Sequence, residues 1–277
     1  MLPPRFRYGG ERFNLCPTKS TGYSHAVLNR GTGGCDIVRL FAAGVLLSLG
    51  LVIGSPRGVG ADLWGGSLGV TSDYIVRGIS RSNDRAALQL DLHYLNTSGF
   101  VAGIFASNTQ IDPDVPRDVE LDAFVGFAWT GVNDWRGRVL ASHYAYPWNR
   151  AGSAYDHDEL DVDFAYQNWL NVDLVYSPNA PRYVRSYGGL TGVSCESAEI
   201  NLQRPVVGRL SATAGIGYSY VGGPDPAGYA YWSAGVAYTI SPVSLALSYV
   251  NTTAEAKALF YNAAVRGRWI ATVIWRF

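Results

Sequence analysis

The sequence predicts an all-β protein, a transmembrane antiparallel β-barrel of about 12 strands with short turns at one end and longer loops at the other. Three observations support this prediction. Apolar and polar residues alternate along most of residues 62–277. Short and long connections alternate between these segments along the chain. The chain ends in an alternating apolar segment that closes on Phe277.

The composition excludes several other classes of protein. Hydrophobic residues make up 48% of the 277 residues and charged residues only 16%, so the chain is too apolar to be disordered. It contains 32 Gly and 18 Tyr, which favours strands over a helical enzyme. The formal net charge is zero, so the sequence predicts no nucleic-acid partner.

The N-terminal region is interpreted as a leader that precedes the barrel. Arg39 is followed by an apolar run at 40–53 and then by small residues that include Val59 and Ala61. This order predicts a cleaved signal peptide at 38–61. A single membrane anchor is the less favoured alternative, because the run is short for a spanning helix. Residues 1–37 lack apolar periodicity and are interpreted as a mis-annotated extension or a disordered segment.

The alternation divides residues 62–277 into segments long enough to cross a membrane as tilted strands. In 119–129 and in 160–166, for example, every second residue is apolar or aromatic. Most segments have about 9 to 13 residues, which suits a spanning strand. The predicted strands are 66–77, 86–95, 99–108, 118–130, 134–146, 158–167, 169–177, 195–203, 209–220, 228–240, 243–251 and 266–277.

The connections and the two strand faces predict the membrane and the orientation. An even number of strands places the N-terminus and the C-terminus of the barrel on the same side, the side of the short turns. This side is periplasmic in outer-membrane barrels. One face carries large apolar residues with aromatics near the strand ends, as expected next to lipid. The predicted location is therefore the outer membrane of a Gram-negative bacterium, with its lipid and lipopolysaccharide as partners.

The last predicted strand has a distinct pattern. Trp269, Val273, Trp275 and the terminal Phe277 share one face. An extended edge with one apolar face is suited to adding onto the edge of another sheet. The pattern is similar to the signal that the bacterial outer-membrane assembly machinery reads, so this machinery is a predicted partner.

Several motifs together resemble one protein family. SDYIVRGISRS at 72–82, GIFASN at 103–108, HYAYP at 143–147 and DELDVDFAY at 158–166 resemble, in order and spacing, the TorF family of proteobacterial outer-membrane proteins. Arg81 and His143 depart from the family pattern, which usually has Gln and Tyr there. The resemblance implies an outer-membrane barrel and a porin. It brings no catalytic, ligand-binding or cofactor residues.

Strand parity predicts which charged residues face the lumen. Acids outnumber bases among them, which predicts a narrow, mildly acidic lumen that weakly favours cations. In the alternative, Arg77, Arg136 or Arg138 pair with acids on neighbouring strands and only keep the barrel rigid. Both interpretations remain open. The charged candidates are Asp73, Arg77, Asp91, His93, Glu120, Asp122, Arg136, Arg138, Asp161, Asp163 and Asp173.

Two further motifs could suggest a metal site or a catalytic pair, but neither is predicted. The acidic run at 155–163 lacks the spacing of a calcium loop and is interpreted as a solvated rim, so no metal or other cofactor is predicted. Ser142 and His143 are adjacent in a predicted strand and point to opposite faces, so they do not form a nucleophile and base. The protein is therefore not expected to be an enzyme.

The predicted function is a porin-like channel for passive diffusion of small polar solutes or ions. A plugged structural or surface-interaction barrel is the alternative, with the predicted loop 178–194 either occluding the lumen or acting at the surface. A lipid hydrolase is the least favoured possibility.

Overall fold

A computed structural model describes residues 63–111, 117–149, 152–184, 189–260 and 264–277. The predicted extension at 1–37 and the predicted signal peptide at 38–61 lie outside these residues. Within the described part of the chain, no helix is long and apolar enough to cross a membrane.

The described residues form strands and two short 3₁₀ helices. The helices are Gly152–Tyr155 and Ala254–Ala258. The strands are β1 (Leu63–Thr71), β2 (Ile75–Val76), β3 (Ile79–Ser80), β4 (Ala87–Leu95), β5 (Phe100–Thr109), β6 (Asp118–Thr130), β7 (Trp135–Ala145), β8 (His157–Tyr166), β9 (Leu170–Val184), β10 (Gly189–Val207), β11 (Leu210–Val221), β12 (Ala227–Ile240), β13 (Val243–Thr252) and β14 (Arg268–Arg276).

Strand β1 and strands β4 to β14 form a closed antiparallel barrel of twelve strands, as the sequence predicts. Each barrel strand pairs with its neighbours in the chain, and β1 pairs with β14 from Ser67↔Arg276 to Thr71↔Thr272. Short turns join the strands at the end where β1 begins and β14 ends. We call this the short-turn end, and the opposite end, which carries the longer connections, the long-loop end.

The C-terminal residue completes the closure at the short-turn end. The Gly66 amide donates to the Phe277 carbonyl at 3.0 Å, and the Phe277 amide donates to the Gly66 carbonyl at 3.1 Å. A Cβ on Gly66 would lie 2.8 Å from the Phe277 ring, so a residue without a side chain is required there. The Trp275 and Phe277 rings also contact each other, with centroids 5.0 Å apart.

The two faces of the barrel differ in polarity. Inward side chains are largely polar and buried, among them Gln89, Asn171 and Thr272. Outward side chains are large, apolar and exposed. Such an exterior matches the surface that lipid covers in transmembrane barrels. The predicted assembly residues are part of it: Trp269, Val273, Trp275 and Phe277 are all exposed.

The end of the first predicted strand was wrong. The prediction ran from 66 to 77, but β1 ends at Thr71. The Thr71 hydroxyl donates to the Asp73 carbonyl at 2.8 Å, and the chain leaves the wall there. Most of residues 73–84 are buried inside the barrel, where β2 and β3 form a small antiparallel hairpin. We call residues 72–86 the inner hairpin.

The predicted loop 178–194 is largely strand. Strand β9 continues to Val184, and β10 begins at Gly189. Their pairing runs from Gly189↔Val184 down to Leu202↔Leu170, with an irregularity between Val193 and Cys195. The two strands therefore extend at the long-loop end as a two-stranded ribbon, and residues 185–188 lie outside the described part of the chain.

Candidate pore and its inner hairpin

The inner hairpin is packed against the wall of the barrel by apolar side chains. Ile75 is buried against Val250 and Ile270 of β13 and β14. Ile79 is buried in a second cluster that includes Tyr229 and Tyr231 of β12. Because both isoleucines point from the hairpin to the same side of the barrel, the hairpin lies across the lumen near β12–β14.

The tip of the hairpin is a tight turn formed by Arg77 and Gly78. Both residues have positive φ, 48° and 76°, the combination that a type I′ hairpin turn requires. A Cβ on Gly78 would lie 2.6 Å from the Tyr231 Cβ, so the turn approaches β12 closely. This geometry positions the Arg77 side chain toward the opposite wall.

Arg77 connects the tip to β8 through a bidentate ion pair. Its Nη1 donates to Glu159 Oε1 at 2.8 Å, and its Nη2 donates to Glu159 Oε2 at 2.7 Å. Arg77 is only 8% exposed, and Glu159 is also buried. Two parallel charge-assisted bonds are among the strongest polar contacts between side chains.

Asp73 connects the base of the hairpin to the last strand. Its Oδ1 accepts hydrogen bonds from the Ser80 and Ser82 hydroxyls, each at 2.7 Å. Its Oδ2 accepts one from Arg268 Nη1 of β14 at 2.6 Å. Arg268 Nη1 also contacts Asp84, so one guanidinium holds both arms of the hairpin.

Glu120 of β6 is the third anchor. It is 1% exposed and accepts hydrogen bonds from the Tyr74 hydroxyl at 2.6 Å and from the Tyr146 hydroxyl. Burial raises the pKa of Tyr74 well above its usual value, and the nearby Glu120 raises it further. Tyr74 therefore stays protonated and acts as a donor to Glu120.

We expect Glu120→Ala to lower the free energy of unfolding by about 3 kcal/mol, because two buried hydroxyls lose their charged acceptor. Glu196→Ala, on an exposed position of β10, is the matched control and is expected to change it by less than about 0.5 kcal/mol. Denaturant titration of both variants in detergent micelles measures the difference. Equal unfolding free energies for Glu120→Ala and the wild type would contradict the role of this anchor.

Two of the predicted lumen residues lie on the inner hairpin rather than on the barrel wall. These are Asp73 and Arg77, because the predicted first strand continues into the hairpin. On the wall, His93 Nδ1 lies 2.6 Å from Asp91 Oδ1, so these two form a local pair on β4. The predicted residues on inward positions of the wall are Asp91, His93, Glu120, Asp122, Arg136, Arg138, Asp161, Asp163 and Asp173.

An acidic row crosses four neighbouring strands of the wall. Arg138 is in register with Asp163, Asp163 with Asp173, and Asp173 with Glu199. Arg138 Nε donates to Asp163 Oδ2 at 2.6 Å. One base is thus placed beside three acids. Residues in register on adjacent strands have Cα atoms about 5 Å apart, so the three carboxyl groups are concentrated in one band.

The band is only partly compensated by hydrogen bonds. Asn201 Nδ2 donates to Glu199 Oε1 at 2.8 Å and to Asp173 Oδ2 at 3.4 Å. Within the described chain, Glu199 Oε2 has no hydrogen-bond partner, although Glu199 is buried. The arrangement offers this carboxylate oxygen to a mobile cation.

Glu159 and Glu199 were missed by the sequence reasoning. Glu159 shares strand parity with Asp161 and Asp163, so the same pattern would have placed it inward. The interpretation of 155–163 as a solvated rim was wrong for this part of the run, because His157 and Glu159 are buried. Among the described residues, no group of His, Cys, Asp and Glu is arranged to hold a metal ion.

The lumen is divided into an apolar side and a polar side. On β4 to β7, four inward residues form a buried apolar cluster: Leu95, Val101, Phe124 and Leu140. On β11 to β14, Tyr229, Tyr231, Val250 and Ile270 pack against the inner hairpin. Nearer the short-turn end, many of the inward residues are small and polar, among them Ser211, Thr213, Ser233, Ser244 and Thr272. These small polar residues therefore line the lumen between the inner hairpin and the short-turn end.

Ser142 and His143 lie on opposite faces. Ser142 is in register with the buried Glu159, whereas His143 is exposed and its Nδ1 lies 2.8 Å from Asp158 Oδ1 on the outer face. The geometry does not bring the serine and the histidine together.

Several solved outer-membrane proteins are similar to this chain. The NanC porin has a TM-score of 0.48 at 10% identity, covering 76% of this chain and 98% of its own. The KdgM porin in complex with disordered oligogalacturonate has 0.45 at 9%, covering 78% and 99%. An outer membrane channel from Pseudomonas putida F1 has 0.46 at 12%, covering 81% and 98%. No curated protein matches this sequence.

One family model matches residues 60–276, a range that includes the whole barrel and the inner hairpin. Its description is "Bacterial protein of unknown function (Gcw_chp)". The match covers far more than half of the chain, so the protein belongs to the Gcw_chp family of bacterial proteins.

Proposed function

We propose that the protein is an outer-membrane channel through which small polar solutes and ions diffuse passively. The observation that carries the proposal is the closed twelve-strand barrel with an apolar exterior and a polar interior. A closed barrel leaves no unpaired strand edge in lipid, and its interior is screened from the lipid. The long-loop end then faces the outside of the cell. The predicted signal peptide and the resemblance to TorF porins support the same assignment.

The proposed passage is narrow. Twelve strands lie between the eight-strand barrels that side chains fill and the sixteen-strand porins with open channels. The inner hairpin and the apolar cluster at Phe124 reduce the passage further. The passage that remains is bordered by the acidic row on β7 to β10. We propose that this passage prefers small cations to anions.

A plugged surface barrel is the second candidate. It is favoured by the inner hairpin itself, whose ion pairs Arg77–Glu159 and Asp73–Arg268 are both buried. In that case the ribbon of β9 and β10 would make the contacts at the cell surface. Its Tyr183 is 63% exposed.

Single-channel recording in a planar bilayer separates the two candidates. The protein is purified in detergent, and heat-modifiable gel mobility verifies that the barrel is folded. Steady conductance steps with a cation-selective reversal potential in a KCl gradient support the channel. A folded barrel that gives no steps excludes the channel in this state and favours the surface barrel.

We expect removal of Phe277 to reduce the amount of folded protein in the outer membrane several-fold. The change removes two backbone hydrogen bonds to Gly66 and a ring of the proposed assembly signal. Trp148→Ala is the control, because Trp148 is an exposed aromatic outside the strands. Membrane fractionation with a heat-modifiability assay provides the readout. Unchanged amounts of the shortened protein would rule out the assembly role of this residue.

A further inference from the structure

A cavity of about 400 Å³ lies at the long-loop end, between the inner hairpin and the outer parts of β8 to β12. This volume falls within the range of small-molecule sites, roughly 300–1,000 Å³. The exposed Tyr183 is part of its lining. The cavity is therefore bordered by side chains that reach the surface as well as by buried ones.

Most of the lining is apolar or aromatic. Ile79 comes from the inner hairpin, Val221 from β11 and Tyr229 from β12. Leu259 and Phe260 follow the second 3₁₀ helix and close one side. The Tyr229 and Phe260 rings meet edge to face, with centroids 5.7 Å apart. Such a lining suits a flat apolar body.

Positive charge is in excess in this cavity. Three arginines and one glutamate are among its described lining residues. Arg77 and Glu159 neutralise each other in their bidentate pair. His157 Nδ1 lies 3.0 Å from the Tyr155 carbonyl, to which it donates, and its Nε2 lies 3.8 Å from Glu159 Oε1.

The other two lining arginines are Arg81 and Arg182, and Arg81 also has Glu120, outside the lining, as an electrostatic neighbour. Arg182 donates to the carbonyl oxygens of Gly222, at 2.6 Å, and of Asp225, and neither carbonyl carries a charge. Arg81 Nε is buried without a hydrogen-bond partner among the described residues. Neither arginine has a carboxylate within ion-pair distance in the described chain. Two guanidinium groups with donors to spare thus border a largely apolar cavity.

We propose that this cavity binds a small organic anion, with its carboxylate at Arg81 and Arg182 and its apolar body against Tyr229, Leu259 and Phe260. Arginine binds carboxylates through paired donors in a fixed plane, which suits this role. The lining includes residues of the inner hairpin and also Tyr183, which reaches the surface. Binding therefore does not require an open lumen and is measured independently of conductance.

The test is isothermal titration calorimetry of the detergent-purified protein with 1-naphthoate. The uncharged 1-naphthamide is the matched ligand, and titration into protein-free micelles corrects for partitioning. We expect saturable binding of naphthoate and at least about tenfold weaker binding of the amide, the difference that one charged hydrogen bond supplies. Equal affinities for the two compounds would overturn the proposal.

Variants test the location. Arg81→Gln and Arg182→Gln are each expected to weaken naphthoate binding about tenfold or more. Arg204→Gln is the control, because Arg204 is exposed on β10 and stacks on Trp169 away from the cavity. Ala180→Phe, which fills part of the cavity and keeps every arginine, is expected to abolish binding. Normal heat-modifiable mobility verifies folding of each variant. Naphthoate binding unchanged in both arginine variants, or in Ala180→Phe, would place the ligand elsewhere and refute the site.

Discussion

Arg77→Ala is expected to raise the single-channel conductance several-fold. In the wild type, the Arg77 guanidinium holds the tip of the inner hairpin on β8 through two hydrogen bonds to Glu159. Breaking a buried ion pair by removing one partner costs about 3–5 kcal/mol, because the remaining charge is left unpaired. The docked hairpin is destabilised by this amount relative to undocked conformations, whereas the barrel keeps its strand pairing. Planar-bilayer recording of wild type and variant measures the change.

The charge-swapped protein Arg77→Glu with Glu159→Arg is the matched test of the contact. It restores opposite charges at the same two positions, so its conductance is expected to return toward that of the wild type. Arg204→Gln, which changes an exposed arginine, is expected to leave conductance unaltered. If folded Arg77→Ala protein conducts no better than wild type, the inner hairpin is not what limits flow.

The second large effect is expected on charge selectivity. The acidic row places Asp173 and Glu199 next to each other on β9 and β10, with Asp163 beside them and Arg138 as the one base in the row. Fixed charge of one sign in a low-dielectric channel attracts the opposite ion and repels the like ion. We expect Asp173→Asn with Glu199→Gln to shift the reversal potential in a KCl gradient strongly toward zero.

Glu196→Gln is the matched control for the selectivity experiment. Glu196 is the same residue type on the same strand as Glu199, but it lies on an exposed, outward position. Its neutralisation is expected to leave the reversal potential where it was. A double variant at Asp173 and Glu199 with unaltered selectivity would show that ions do not pass the row.

Much of the barrel could be predicted from the sequence, because apolar and polar residues alternate along any strand whose two faces have different surroundings. The prediction for 118–130 matches β6, and that for 243–251 differs from β13 by one residue. At 72–77, the alternation wrongly predicted a wall strand, and the reason is physical. Ile75 and Arg77 alternate with Tyr74 and Val76 as a wall strand would, yet the hairpin is also packed on two sides inside the lumen. Alternation of residue types indicates which side chains are buried. It does not distinguish a strand of the barrel wall from a hairpin inside the lumen.

The contacts of the candidate site were less predictable than its residues. Arg77 and Glu159 are 82 positions apart, and nothing local in either segment identifies the partner. The same holds for Arg182, which comes near the inner hairpin only because β9 continues past the predicted strand end at 177. Tertiary packing determines such pairs, and a single sequence shows only that charged residues are available on the inward face.

The bond between Asp73 and Arg268 has a consequence for how the protein is made. The two residues are 195 positions apart and join the first loop to the last strand. The base of the inner hairpin therefore has all of its hydrogen-bond partners only after β14 is in place beside β1. Sealing of the wall and docking of the hairpin become coupled events, because both depend on the same strand. A barrel that has not yet closed lacks this anchor, and one that has closed holds its own constriction in position.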